Sequence, residues 1–159
     1  MTNPLNPSAQ KVQNALHALG VNCQVIEMPA STRTAQEAAD AVGCQVGQIV
    51  KSLIFRGKNS RSPYLILVSG ANRVNEKKIS EMLGEKIEKA DADYVREYSG
   101  FAIGGVPPVG HLHQIGTYID EDLFKYSEIW AAAGTPFAVF KLTPQELLAI
   151  TQGKVIAVQ

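Results

Sequence analysis

The stretch Ile49-Val50-Lys51-Ser52-Leu53-Ile54-Phe55, with its return Tyr64-Leu65-Ile66-Leu67-Val68, decides the fold class. Both runs are rich in β-branched, aliphatic and aromatic residues. The segment between them, from Gly57 to Pro63, is polar and turn-prone. Two apolar runs around such a segment read as a β-hairpin.

On the N-terminal side, Ser8 to Leu19 reads as an amphipathic helix, with Val12, Ala15, Leu16 and Leu19 on one face and Gly20 as its end. Cys23 to Ile26 is expected as a short strand. Thr34 opens a second helix, with Glu37 three residues later as a capping box requires, an alanine-rich buried stripe, and Gly43 as the stop. On the C-terminal side, helices are expected over Asn75–Leu83 and Asp91–Tyr98, ended by Gly84 and Gly100. Strands are expected over Phe101–Ile103, Gln114–Ile119, Ile129–Ala132 and Phe137–Leu142. Thr143, Pro144 and Glu146 start a last helix, and Val155–Val158 closes the chain as a strand. Strands and helices are mixed without a regular βαβ alternation, so the expected class is α/β with a mixed sheet. Residues 1–7 are expected as a flexible N-terminus and 8–159 as one domain.

The charges narrow the function. The formal net charge is zero, yet no acid occurs from Ala41 to Asn75, where Lys51, Arg56, Lys58, Arg61 and Arg73 all fall. Such a chain can touch a few phosphates but does not grip a long nucleic acid, and a DNA-binding role is not expected. The two cysteines, Cys23 and Cys44, have no metal or redox spacing, which suits a reducing compartment. The start MTNPLNPSAQ lacks a signal-like apolar core, and no apolar run approaches the roughly 20 residues that span a membrane. A cytoplasmic location without a membrane partner is the expectation.

The loop Gly104-Gly105-Val106-Pro107-Pro108-Val109-Gly110-His111 is the most unusual segment. Its glycines allow close backbone approach and its prolines stiffen it, so it can form a cradle of N–H dipoles or simply a tight turn. It is not a phosphate loop, because His111-Leu112 stands where Lys-Ser or Lys-Thr is needed. Lys51 opens an apolar strand and is expected at a cleft rim, where it can meet a phosphate or a polarised carbonyl, or merely snorkel. His111 and His113 lack a third ligand at zinc spacing, so no metal site is expected. Asp120 reads first as a helix cap. No nucleophile elbow is present.

Several of these segments together resemble the YbaK and prolyl-tRNA-synthetase-associated editing domain family. They are Thr34-Ala35-Gln36-Glu37-Ala38-Ala39, the lysine strand Ile49–Leu53, Val68 to Lys78, Ser99 to His111 with the spacing Gly104-x-x-x-Pro108, Tyr118-Ile119-Asp120, and Ala133-Gly134. The resemblance implies a single α/β domain with a mixed, barrel-like sheet surrounded by helices. It implies hydrolysis of the ester between an amino acid and the terminal adenosine of tRNA, without metal or cofactor. Lys51, Gly104 and Gly105 match the family's functional positions, and Ser52, Pro108, Gly110, His111, Asp120 and Gly134 are expected to shape the substrate site. The implied partners are the acceptor end of an aminoacyl-tRNA, foremost that for proline, and prolyl-tRNA synthetase; the oligomeric state stays open. Family members acting on cysteinyl-tRNA often carry serine where Pro107 stands, so alanine, serine, threonine, cysteine and small non-protein acyl groups all stay open. A module that binds aminoacyl-tRNA or a synthetase without hydrolysis is the competing reading.

Overall fold

The computed structural model describes residues 4–159. The hairpin is present: β2 (Ile49–Gly57) pairs antiparallel with β3 (Pro63–Ser69), placing Lys51 opposite Val68 and Ser52 opposite Leu67. Around it lie β1 (Val25–Glu27), β4 (Ile87–Lys89), β5 (Gly116–Asp120), β6 (Ile129–Ala132), β7 (Ala138–Leu142) and β8 (Lys154–Ile156). The sheet runs β1-β7-β6-β2-β3-β5-β8, with β4 attached to the far end of β2. It is mixed: β2–β6, β3–β5 and β5–β8 are parallel, and the other pairs antiparallel. The α/β class and mixed sheet are therefore as expected, with the path open between β1 and β8.

Five helices surround it: α1 (Pro7–Ala18), α2 (Ala35–Val42), α3 (Glu76–Leu83), α4 (Ala92–Ser99) and α5 (Pro144–Thr151). Each begins with a side-chain cap. Asn6, Thr34, Asn75, Asp91 and Thr143 each accept an N–H from the first turn, satisfying donors that a helix start leaves bare. The full reciprocal box forms at Thr143 and Glu146. At Thr34 the return bond differs, because its hydroxyl donates to Glu37 Oε1. Helix α1 starts at Pro7 rather than Ser8. Asn6 is its cap and Leu5 packs on the core, while residues 1–3 of the expected N-terminal segment lie outside the described residues.

Strand β3 shows why the central run is apolar without alternation. Leu65 and Leu67 join the main core, with Leu16, Phe140 and Leu147. Ile66 and Val68 join a second core on the opposite face, with Phe55, Ile79 and Ile156. Both faces are covered, so every position from 65 to 68 is buried. No helix among the described residues is long and apolar enough to cross a membrane.

Two expectations about elements change. Phe101–Ile103 is not a strand. The Ser99 hydroxyl accepts the N–H of Phe101, Gly100 takes φ +83, and Gly105 N–H bonds Ala102 O, so this segment turns on itself. Strand β4 was not anticipated, because Glu85-Lys86-Ile87-Glu88-Lys89 has a single apolar residue. Its place is set by register with Phe55–Gly57 and by the Arg56–Glu88 ion pair.

Candidate active site

Strand β2 pairs with β6 through Ile49 and Val50, and with β4 through Phe55 to Gly57. Ala90 N–H continues the second ladder to Ile54 O, so residues 51–53 run past a gap on that side of the strand. A cavity of about 340 Å³ opens there, walled by β2, the α2 entry (Thr32 to Ala35), β6 and the turn Ile103–Val106. The gap explains how neighbours on β2 reach one cavity although their side chains leave the strand on opposite faces. Lys51 and Ser52 both line it.

Lys51 is half-buried. Its ammonium donates to the carbonyl of Asn72, which leaves two of its three N–H donors uncommitted. Burial, together with the nearby charges of Arg73 and Lys89, pushes the Lys51 pKa below the ordinary lysine value, against a smaller opposing pull from Asp120. Asn72 is itself held from behind: its amide donates to Asp120 at 2.9 Å and to Asp122 at 2.8 Å. Asp120 is 1% exposed and also accepts Ser69 N–H at 3.0 Å and Asp122 N–H at 2.9 Å. The expectation that Asp120 meets substrate gives way to a different placement. It is the buried brace of the turn whose carbonyl holds Lys51, and the cap of the short 3-10 turn at Glu121–Lys125.

The glycine loop divides into parts with different tasks. Gly104 lines the cavity at φ +94, a conformation that favours glycine. Its N–H has no protein partner among the described residues. A Cβ there would meet the Arg33 side chain at 2.8 Å, so that side chain lies directly across Gly104. Gly105 is otherwise placed. Its N–H is committed to Ala102 O, its carbonyl accepts Gly134 N–H, and a Cβ would meet the backbone of Thr135 at 2.8 Å. It is a packing glycine that lets the loop lie against the β6–β7 turn, where Gly134 in turn lies against the Ser8 carbonyl at the start of α1.

Pro108, Gly110 and His111 do not join the cavity; they line a separate surface hollow with Leu112 to Ile115. His111 Nε2 donates to the carbonyl of Pro107 at 2.7 Å and closes the loop on itself. Burial lowers its pKa, partly offset by that bond. His113 instead lies beside Tyr98, the rings tilted at 56° with centroids 5.4 Å apart. Among the described residues no group of three His, Cys, Asp or Glu is arranged to hold a metal. Arg56, one of the basic residues of the acid-free stretch, is spent on Glu88 and on the face of Tyr94.

Two residues of the cavity carry a further signal. The hydroxyls of Thr32 and Ser52 are buried and have no hydrogen-bond partner. Ser52 was expected at the site. Thr32 was missed, since a threonine in the stretch Met28–Arg33 has no local pattern to distinguish it from a turn residue. Arg33 was missed for the same reason.

A model of the aminoacyl-tRNA editing domain matches residues 29–150. The chain is 53% identical to a candidate trans-editing enzyme for prolyl-tRNA synthetase of known structure, with a TM-score of 0.93 over 98% of this chain and 99% of that one. It is 33% identical to YwhH of Bacillus subtilis, covering 82% of this chain and 83% of that protein. It is 29% identical to EbsC of Enterococcus faecalis, a candidate Cys-tRNA(Pro)/Cys-tRNA(Cys) deacylase, covering 76% and 74%.

Proposed function

The chain belongs to the aminoacyl-tRNA editing domain family, and on that premise we propose that it is a trans-editing deacylase acting on mischarged tRNA for proline. Water adds to the acyl carbon, the ester C–O bond breaks, and a free amino acid leaves the terminal adenosine hydroxyl. The observation that carries this reading is the cavity itself. It is bordered by Lys51 and by Gly104, whose N–H has no partner among the described residues, and by no carboxylate. Both are donors suited to the negative charge that develops on the acyl oxygen or to the adjoining phosphate, and in a partly dry site such donors act strongly. An aminoacyl ester is already activated, so the reaction needs no metal. Gly105 and Gly134 hold the loop in place, and Asp120 acts through Asn72 on the position of Lys51. Arg33 adds a second cation at the mouth.

We place the enzyme in the cytoplasm, where charged tRNA is met, with prolyl-tRNA synthetase as the partner that supplies the mischarged product. The test is incubation with a panel of mischarged proline tRNAs, scoring release of the amino acid. Release above the spontaneous rate is expected for at least one small acyl group. Tight binding with no release from any member would favour the binding module instead.

A further inference from the structure

Two cations of strand β2 are treated in opposite ways. Arg56 meets Glu88 directly, with Nε and Nη2 both donating to Oε1. Lys51 forms no ion pair among the described residues, although the charge of Asp120 reaches it. One residue is bonded to both Lys51 and Asp120. The backbone carbonyl of Asn72 accepts the ammonium, and its side-chain amide donates to Asp120 Oδ2 at 2.9 Å and to Asp122 Oδ2 at 2.8 Å. The N–H groups of Ser69 and Asp122 complete what Asp120 accepts. Three uncharged donors thus serve a carboxylate that is 1% exposed, and Asp120 takes part in no ion pair among the described residues. The charge of Asp122 is offset separately, by Lys125 at 3.0 Å.

We propose that Asn72 is a positioning residue that keeps Lys51 out of an ion pair with Asp120: its amide occupies the two carboxylates, its carbonyl orients the ammonium, and two N–H donors stay available to the substrate. The proposal rests on the editing reading above, in which Lys51 meets the acyl oxygen or the adjoining phosphate. A lysine paired with a buried carboxylate is held by a charge-assisted bond, which a substrate must break before it can use the ammonium. A backbone carbonyl is a neutral and weaker acceptor, so it aims the ammonium without cancelling its charge. Asparagine suits this task because its amide donates without bringing a charge of its own. Aspartate at 72 would set a third carboxylate against two, and alanine would leave both short of a donor. The charges acting on Lys51 agree with this separation. Burial, Arg73 and Lys89 push its pKa down, and Asp120 opposes them only in part. A direct pair would favour the charged form instead.

The test is a double-mutant cycle on the full chain with Asn72→Ala, Asp120→Asn and the two combined. Two signals are read. One is kcat and KM, measured separately on a mischarged proline tRNA that the wild type hydrolyses. The other is the NMR titration of the Lys51 side chain, assigned by its loss in Lys51→Ala. Asn72→Ala should lower kcat by about tenfold, less than the 10²–10³ that losing a preorganised donor costs. It should also move the Lys51 titration upward, as the ammonium turns to Asp120. Adding Asp120→Asn should then restore part of the lost kcat and bring the titration back down, although that change alone is harmful. A merely structural role gives the reverse: the two losses compound, and the second substitution leaves the titration where the first put it. That result overturns the proposal. Should Asn72→Ala fail to fold, Asn72→Ser keeps one donor and is read by the same cycle. If no tRNA is hydrolysed, the editing reading falls, and the titrations alone decide whether Asn72 separates the two charges.

Discussion

The two sides of Lys51 differ sharply in how their polar groups are treated. Behind it, Asp120, Asn72, Ser69 and Asp122 form a closed network, and Lys125 adds an ion pair to Asp122 at 3.0 Å. Around the cavity, the Gly104 N–H has no partner among the described residues, the hydroxyls of Thr32 and Ser52 are buried without one, and Arg33 forms no ion pair among the described residues. A fold that needed only stability would treat both sides alike. The network behind serves position, while the cavity side keeps polar groups that the protein itself does not pair.

The largest effect expected from breaking this contrast is on Lys51. Lys51→Ala should lower kcat/KM by roughly 10²–10³, the usual consequence of losing a preorganised donor. The thermal midpoint should stay near wild type, because its one internal bond is to an exchangeable backbone carbonyl. Lys51→Arg should also be impaired, since a planar guanidinium does not replace a compact ammonium. A folded Lys51→Ala enzyme with unchanged turnover would remove Lys51 from the chemistry.

A smaller effect, of a different kind, is expected behind the lysine. Asp120→Asn keeps the shape but loses charge-assisted acceptance from Ser69, Asn72 and Asp122. It should destabilise by about 1–3 kcal/mol, read by urea unfolding. Activity should fall less than in Lys51→Ala, because the ammonium is retained and only its anchor loosens. Unchanged stability would mean that the network is not a brace.

These two residues also show what was legible in the sequence. Lys51 could be placed because an apolar strand fixes its position, and its pattern resembles a known family. Asp120 could be read locally as a cap, which it is, but its link to Asn72 and Lys51 spans elements that only the β3–β5 pairing brings together. The hairpin and the five helices were readable because period, caps and terminal glycines agree along the chain. The loop was recognisable by composition, yet composition cannot tell a glycine that faces a cavity from one that faces a neighbouring backbone, so Gly104 and Gly105 looked alike. Strand β4 takes its place wholly from tertiary pairing, and Thr32 borders the cavity only because the segment before α2 packs there.

The smallest effect concerns His111, which closes the loop away from the cavity. Burial disfavours its charged form in the folded state, so the unfolded chain takes up this proton more readily. Stability from this group is fully present above the unfolded histidine value of about 6.5 and is lost as pH falls through it toward the lower folded value. His111→Gln keeps an N–H donor for Pro107 without titrating. Its stability between pH 7 and pH 5 should therefore decline less than that of wild type. Parallel curves would show that His111 is not a source of the decline.

The sheet order carries a consequence for how the molecule comes into being. Val25 pairs with Phe140, and Ile49 with Trp130, so the walls of the cavity are drawn from distant parts of the chain. Contacts of such separation form slowly, since a long loop must close before they repay its entropy. The hairpin of β2 and β3 closes locally, whereas β6 and β7 emerge late from the ribosome and must find β2 and β1 already synthesised. The pocket is thus among the last parts to assemble, and a nascent chain holds Lys51 and Ser52 on a strand with no opposing wall. Chains interrupted before β7 carry no shaped pocket with which to attack correctly charged tRNA.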